Sequence, residues 1–121
     1  MELVTSIPAM QARADAERAA GRRIGLVPTM GFLHEGHLSL VGEARRRADV
    51  VVVSLFVNKL QFNDAEDYTS YPRDVDRDAR MLQSAGTDVL FHPFVALRLG
   101  AEWQCTDSSD TLNWALVRVT R

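Results

Sequence analysis

Two histidines in one short segment are the residues whose types and spacing best suit catalysis. His34 and His37 lie three positions apart in the run His-Glu-Gly-His, which follows the glycine-containing stretch 27–33. If a helix begins near His34, both rings share one face of its first turn. Two imidazoles beside free backbone N–H groups can hydrogen-bond a triphosphate and stabilise the negative charge that develops at phosphorus. The segment therefore predicts a phosphate-binding loop.

The same spacing decides between other interpretations of this segment. A Walker loop and a dinucleotide-binding glycine fingerprint are excluded, because neither spacing is present. The zinc-protease motif His-Glu-x-x-His is excluded as well, since His37 comes one position early. Only His92 and Cys105 remain as further ligands of the usual zinc-binding types, so we predict no metal site. The plain alternative, two surface histidines at a helix cap, stays open on spacing alone.

Alternating helices and strands are expected to position this loop. Apolar periodicity predicts helices, and short β-branched runs predict buried strands. In chain order these are helix 6–20, strand 23–27, helix 36–48, strand 49–56, helix 74–85 and strand 87–91. The alternation predicts an α/β fold with a Rossmann-like parallel sheet and helices on both faces. A weaker pattern at residues 112–120 suggests one more strand.

Turn-forming residues mark where these elements end. Pro28 is expected to stop the first strand, while Gly21 and Gly86 are expected to end helices. Ligands of such sheets bind beyond the carboxyl ends of the strands. The two loops that leave those ends, 28–33 and 57–71, are therefore the candidate binding loops.

Composition excludes several classes of protein. The chain has 121 residues and a net charge of −2, without the basic patch that nucleic-acid binding needs. Its longest apolar run is far too short to cross a bilayer, and the first residues lack a secretory signal. One cysteine permits no internal disulfide. We therefore expect a cytoplasmic protein with neither a nucleic-acid nor a membrane partner.

Several sequence blocks in one order resemble the pantothenate synthetase (pantoate–β-alanine ligase) family. The first block is Pro-Thr-Met-Gly-x-Leu-His-x-Gly-His at residues 28–37, which occupies the place of the HIGH motif of the nucleotidyltransferase superfamily. Val-Ser-Leu-Phe-Val-Asn-x-Leu-Gln-Phe follows at 53–62, then Glu-Asp-Tyr at 66–68 and Tyr-Pro-Arg at 71–73. Leu-x-x-Ala-Gly-x-Asp at 82–88 and Phe-x-Pro at 91–93 continue the pattern.

The resemblance implies roles for particular residues. It implies that the stretch from Met30 to His37 binds ATP, that His34 lies at the phosphates and that His37 is the proton donor. Gln61 is implied to bind pantoate where β-alanine must arrive. The full set of implied ATP-binding residues is Met30, Gly31, Phe32, Leu33, His34, Glu35, Gly36 and His37.

The resemblance also implies a two-step reaction and a partner. The carboxylate of pantoate attacks the α-phosphorus of Mg-ATP and gives pantoyl-adenylate and pyrophosphate. The amine of β-alanine then displaces AMP and forms the amide of pantothenate. Members of the family are typically dimers, which implies a homodimer here.

Departures from the family pattern lie near Gln61 and in the tail. Lys59 stands where the family usually has proline, so the loop that carries Gln61 should be looser there. Asn63 stands where the family usually has glycine, and it adopts left-handed dihedral angles less readily. We expect a nucleotide- and pantoate-binding domain at 1–94 and a divergent tail at 95–121. The chain is truncated relative to the family, whose Gly-x-Lys-Asp-x-Gln block has no counterpart in these residues.

Two other functions remain open at this point. The chain could be a catalytically inactive fragment that serves as a nucleotide-binding or interaction module. It could instead be another HIGH-type nucleotidyltransferase, although the blocks around Gln61 and the Tyr-Pro-Arg run favour the ligase. Dependence of activity on pantoate discriminates between the two enzymes.

Overall fold

The computed structural model describes residues 1–56 and 73–93, together with the backbone of residues 118–120. Eight helices and strands lie in these ranges. In chain order they are β1 (Glu2–Val4), α1 (Ile7–Ala19), β2 (Ile24–Thr29), α2 (Glu35–Arg47), β3 (Val50–Leu55), α3 (Val75–Ala85), β4 (Val89–Phe91) and β5 (Arg118–Thr120). Within these ranges, no helix is both long enough and apolar enough to span a membrane.

The strands form one sheet in the order β1-β4-β3-β2-β5. The pairs β1–β4, β4–β3 and β3–β2 are parallel, and β5 lies antiparallel beside β2. The predicted Rossmann-like parallel α/β sheet is thus confirmed, with one antiparallel strand at its edge. Such a sheet places the carboxyl ends of β2, β3 and β4 along one edge, where the loop after β2 begins.

Helices cover both faces of the sheet, and each face has its own buried cluster. Alternate residues of β3 point to opposite faces, as in any strand. Val51, Val53 and Leu55 pack with the residues of α2 and α3, whereas Val50 and Val52 pack on the α1 side. All six residues of β3 are buried, which explains why its sequence is continuously apolar except for Ser54.

Local capping signals set the helix ends that the sequence predicted. The Ser6 hydroxyl accepts a hydrogen bond from the Ala9 N–H at 3.3 Å and caps α1. The Asp74 carboxylate does the same for the Arg77 N–H at 3.1 Å at the start of α3. Gly86 ends α3 with φ +91°, a conformation that glycine adopts without steric cost. The three predicted helices are confirmed, with ends within two residues of those expected.

The prediction that Pro28 stops its strand is wrong. β2 continues to Thr29, and Pro28 pairs with Ser54 in the parallel register. The carbonyls of Arg23 and Thr29 both accept hydrogen bonds from the β3 side, so Pro28 directs its backbone to the opposite side. The β5 pairing there ends at Leu26. Proline has no N–H to donate, and among the described residues no strand pairs with Pro28 on that side.

The prediction also missed β1. This strand has only three residues, two of them exposed, and it carries no alternation long enough to detect. It forms because Leu3 pairs with Leu90, 87 positions later in the sequence (90 minus 3). Of the suggested strand at 112–120, the structure describes only residues 118–120, and these form β5.

Candidate functional site

The loop from β2 to α2 is tethered to the carboxyl edge of the sheet at its first residue. The Thr29 hydroxyl donates to the Ser54 carbonyl at 2.9 Å. The oxygen of that hydroxyl also accepts from the Gly31 N–H at 3.3 Å. The Phe56 N–H donates to the Thr29 carbonyl at 3.0 Å. These bonds fix the start of the loop to the end of β3.

A left-handed turn follows at Gly31 and Phe32. Gly31 has φ +82° and Phe32 has φ +50°, the only positive φ of a non-glycine residue in the described ranges. The dihedral angles of Gly31 favour glycine, and a Cβ atom there would lie 3.1 Å from Leu55 Cδ2 and 3.2 Å from Asp78 Oδ2, so these neighbours would have to move slightly. The turn buries Leu33 to 1% exposure and leaves Phe32 49% exposed.

The Asp78 carboxylate holds this turn from the first half of α3. Its Oδ2 accepts from the Phe32 N–H at 2.8 Å and its Oδ1 accepts from the Leu33 N–H at 2.9 Å. Asp78 is 1% exposed. Two successive N–H groups in a turn form a concavity that binds an anion, and here the anion is the protein's own carboxylate.

Arg77 braces the same turn from outside. Its Nη1 donates to the Leu33 carbonyl at 3.2 Å and lies 3.6 Å from Asp78 Oδ1. Its guanidinium carbon lies 5.5 Å from the centroid of the exposed Phe32 ring, within the range of a cation–π contact. The negative charge of Asp78 is thus partly balanced by a side chain that also contacts the loop.

Asp78 was not predicted from the sequence, although one signal for a buried anion was present. Val75, Ala79 and Leu82 have the spacing of one apolar helix face, and position 78 lies on that same face. A carboxylate on an apolar helix face needs a buried partner. That signal indicates a buried anion but cannot identify donors that lie 45 and 46 positions earlier in the sequence.

His34 and His37 cap α2 reciprocally. His34 is the N-cap residue, and its Nδ1 accepts from the Gly36 N–H at 3.0 Å. His37 Nδ1 accepts from the His34 N–H at 3.1 Å. The ring centroids are 4.1 Å apart. The two histidines that spacing predicted to share a face are therefore brought together.

This capping sets the tautomer of both rings. A backbone N–H can only donate, so each Nδ1 must present a lone pair. A neutral ring with an unprotonated Nδ1 carries its proton on Nε2, because the partner of one nitrogen sets the state of the other. Both rings thus offer an Nε2–H donor on the side away from the backbone that they cap.

Gly36 is required by the position of the His34 ring. A Cβ atom on Gly36 would lie 2.8 Å from His34 Cε1 and 3.0 Å from its Nδ1. Any side chain at residue 36 would therefore displace the ring or break the cap. Glu35 and Gly36 are both exposed at the start of the helix, as is His34, while His37 is half-buried.

The environment of His37 favours its neutral form. Burial lowers the pKa of His37 below 6.5, and the neighbouring His34 lowers it further. The negative charge of Asp78 opposes these effects and raises the pKa. Burial is the largest of these effects, so His37 is held in its neutral form at pH 7. The cap requires this same form, since its Nδ1 accepts a hydrogen bond.

One expectation about this helix start is contradicted at five backbone amides. Free backbone N–H groups were expected to attract phosphate, but five consecutive or nearly consecutive amides have acceptors within the protein. The N–H groups of Phe32 and Leu33 donate to Asp78, those of His34 and Gly36 to the two imidazoles, and that of His37 to the His34 carbonyl. The imidazole Nε2–H groups are the donors that this cap directs away from the backbone.

Other residues named from the sequence lie near the site or outside the described ranges. His92 stands just after β4, where its Nδ1 bonds to the Leu55 carbonyl at 3.0 Å and its N–H to the Val4 carbonyl at 2.8 Å. His92 thus joins the ends of three strands. Gln61 lies outside the described residues, as do Lys59 and Asn63. The division into 1–94 and 95–121 stays a prediction.

Comparison with known proteins identifies relatives of this chain. The sequence model of the family described as Pantoate-beta-alanine ligase matches residues 2–111, which includes part of the segment expected to be divergent. The pantothenate synthetase of Syntrophotalea carbinolica is 53% identical over 93 residues, or 77% of this chain and 33% of that protein. The pantothenate synthetase of Geotalea daltonii is 46% identical over 121 residues, or 100% of this chain and 43% of that protein.

Solved structures show the same fold. The pantoate–β-alanine ligase of Francisella tularensis, complexed with Beta-gamma ATP and β-alanine, superposes with a TM-score of 0.72 at 42% identity. The alignment covers 77% of this chain and 35% of that one. Pantothenate synthetase from Thermus thermophilus has a TM-score of 0.63 at 49% identity, covering 78% of this chain and 32% of that one. The chain thus spans less than half the length of the relatives compared.

Proposed function

The chain belongs to the pantoate–β-alanine ligase family, and we propose that it forms the ATP- and pantoate-binding part of that enzyme. The reaction joins pantoate to β-alanine through a pantoyl-adenylate. The observation that carries the proposal is the reciprocal cap of His34 and His37, which sets two Nε2–H donors at the carboxyl edge of the sheet. This is the edge at which ligands of parallel α/β sheets bind.

The ATP site of the proposal is the segment from Met30 to His37. Because the amides of this turn already have acceptors, the phosphates are met by imidazole N–H groups and by the positive end of the α2 dipole. Neutral donors suit a phosphoryl centre that gains negative charge during attack, since they stabilise it without giving up a proton. The proton-donor role implied for His37 is then hydrogen-bond donation in the resting state.

The first chemical step needs positioning more than a protein nucleophile. The pantoate carboxylate attacks the α-phosphorus, the bond to the bridging oxygen breaks, and pyrophosphate leaves with the electron pair. Magnesium arrives with the nucleotide as Mg-ATP and neutralises part of the triphosphate charge. Gln61, implied by the resemblance to bind pantoate, would offer a neutral amide that donates to a carboxylate without repelling it.

Pantoate-dependent exchange of labelled pyrophosphate into ATP tests the proposal. The 121-residue chain should catalyse exchange only with pantoate present, and His37→Ala should lower the rate at least about a hundredfold, the usual size of a lost transition-state donor. Gln83→Ala, at an exposed position of α3, is the matched control and should keep the rate of the unaltered chain.

The alternatives give different outcomes in the same assay. Exchange without pantoate would indicate another HIGH-type nucleotidyltransferase. ATP binding without exchange, from a folded sample, would leave a nucleotide-binding module as the function of this chain. A folded chain that neither binds ATP nor exchanges would contradict the proposal. The homodimer and the cytoplasmic location stay predictions of the sequence analysis.

A further inference from the structure

We propose that Asp78 is a positioning residue of the ATP site, whose buried carboxylate sets the turn from which the histidine cap begins. The proposal rests on the proposed function, since it names a further residue of the same site. Asp78 is not among the residues that the resemblance implies to bind ATP. It acts on the backbone at Phe32 and Leu33, immediately before the N-cap His34.

The geometry specifies a carboxylate at this position. Two adjacent amides need two acceptor atoms, and Asp78 supplies one oxygen to each at 2.8 and 2.9 Å. An asparagine would offer one acceptor and turn its NH₂ group toward the other amide. One buried N–H would then face a donor, an arrangement that costs the full desolvation of that group.

The turn also depends on this anion because of its backbone angles. Phe32 has φ +50°, which a residue with a side chain adopts only when surrounding contacts impose it. Asp78 Oδ2 accepts from the amide of that same residue, and Leu33 is buried beside it. Without the carboxylate, Phe32 is expected to leave the left-handed region and carry His34 with it.

The charge of Asp78 reaches the histidine pair as well. Its negative charge raises the pKa of His37, against the lowering by burial and by His34. Asp78 thus acts on the pair both through the backbone and through space. Arg77, 3.6 Å from Oδ1, balances part of this charge on the solvent side.

Asp78→Asn, compared with Asp76→Asn, tests the proposal. Asp76 lies in the first turn of the same helix but is exposed, so its substitution removes the same charge without touching the loop. Asp78→Asn should weaken Mg-ATP binding at least about tenfold, the loss expected for one charged hydrogen bond. Asp76→Asn should leave the dissociation constant within about twofold, as for an exposed charge.

Ring ¹⁵N shifts of the histidines supply a readout that general destabilisation does not move. In the unaltered chain His34 and His37 should each show one protonated and one unprotonated nitrogen, with Nδ1 unprotonated. Asp78→Asn should move the two nitrogen shifts of each ring toward each other, because the cap no longer fixes which nitrogen carries the proton. Met10→Ala, which destabilises the opposite face, should leave the two shifts of each ring separate. Equal ATP affinity and unchanged ring signals in Asp78→Asn and Asp76→Asn would overturn the proposal.

Amide hydrogen exchange decides the matter if Asp78→Asn does not fold. In the unaltered chain the amides of Phe32 and Leu33 should exchange much more slowly than an exposed amide. Exchange at open-chain rates would show that Asp78 does not hold them. If the chain does not bind ATP at all, the proposed function fails, while ring signals and exchange still test Asp78.

Discussion

Two buried carboxylates on opposite faces of the sheet have different partners. Glu17, on α1, is 4% exposed and pairs with the side chains of Arg13 and Arg22. Asp78, on α3, is 1% exposed and accepts from two backbone amides. Arginine side chains are long and can find water when the carboxylate is lost, whereas the amides are fixed in the chain. The first carboxylate stabilises a helix and the second determines a conformation.

The same contrast separates the two faces as a whole. On the α1 face, the buried cluster includes Val4, Met10 and Phe91 but no residue of the loop between β2 and α2. On the other face, the cluster includes Leu33 from the loop itself, so the packing of α2 and α3 continues directly into the site. Substitutions on the two faces should therefore differ in their effect on ATP binding more than in their effect on stability.

Shortening a buried apolar side chain on each face is the substitution pair with the largest expected effect. Leu33→Ala and Met10→Ala should each lower the free energy of unfolding by about 2–5 kcal/mol, the range for buried Leu or Met. Denaturant unfolding measures both. Only Leu33→Ala should weaken the binding of Mg-ATP to the molecules that remain folded. An equal loss of ATP affinity in Met10→Ala would contradict the separation of the two faces.

A pair of glycines with positive φ sharpens the comparison. Gly31 has φ +82°, and a Cβ atom added there would have two neighbouring atoms within 3.2 Å. Gly21 has φ +78°, and a Cβ atom there would have no neighbour within 4 Å. Gly21→Ala should cost about 1 kcal/mol of left-handed strain, and Gly31→Ala about 2–3 kcal/mol because overpacking adds to it. Thermal unfolding compares them, and equal costs would mean that the packing around Gly31 is loose.

Removing the charge of Glu17 should have a smaller effect. Arg13 and Arg22 are 31% and 52% exposed, so Glu17→Gln should lower the unfolding free energy by only about 1 kcal/mol, since both cations remain hydrated. Mg-ATP affinity, measured by calorimetry, should not change. A loss of ATP affinity here would show that the α1 face does reach the site.

The pH dependence of stability should show the smallest effect. The pKa of His37 is lower in the folded chain than its ordinary 6.5, so below pH 6.5 the unfolded chain binds more protons and stability falls as the pH falls. The loss is complete once the pH is below the folded pKa. His37→Gln should show a shallower decline between about pH 7.5 and 5 than the unaltered chain. Parallel curves would contradict the lowered pKa.

Local signals predicted most of the fold. The periodicity of α2 and α3, the continuous apolar run of β3 and the caps at Ser6 and Asp74 all act over a few residues, so the sequence shows them directly. β1 depends on its pairing with β4, and β2 continues to Thr29 because it pairs with β3 as far as Leu55. Pairings over such separations leave no local pattern.

In the candidate site, the contact between the two histidines could be predicted, but their hydrogen-bond partners could not. The spacing of His34 and His37 indicated a shared face, and their contact followed. That their Nδ1 atoms would consume backbone amides depends on the exact entry angle of the chain into α2. Asp78 supplies that angle from a different element, which no property of residues 27–38 could reveal.

Amide chemical-shift mapping during a titration with Mg-ATP tests the central claim most directly. The uniformly ¹⁵N-labelled chain gives backbone amide signals from non-proline residues on both faces of the sheet. The two faces therefore act as controls for each other. We predict that the shifts change at residues 30–37 and at Asp78, while α1 from Met10 to Glu17 stays unchanged. A folded chain whose shifts change on the α1 face, or nowhere at millimolar nucleotide, would contradict the assignment of the ATP site.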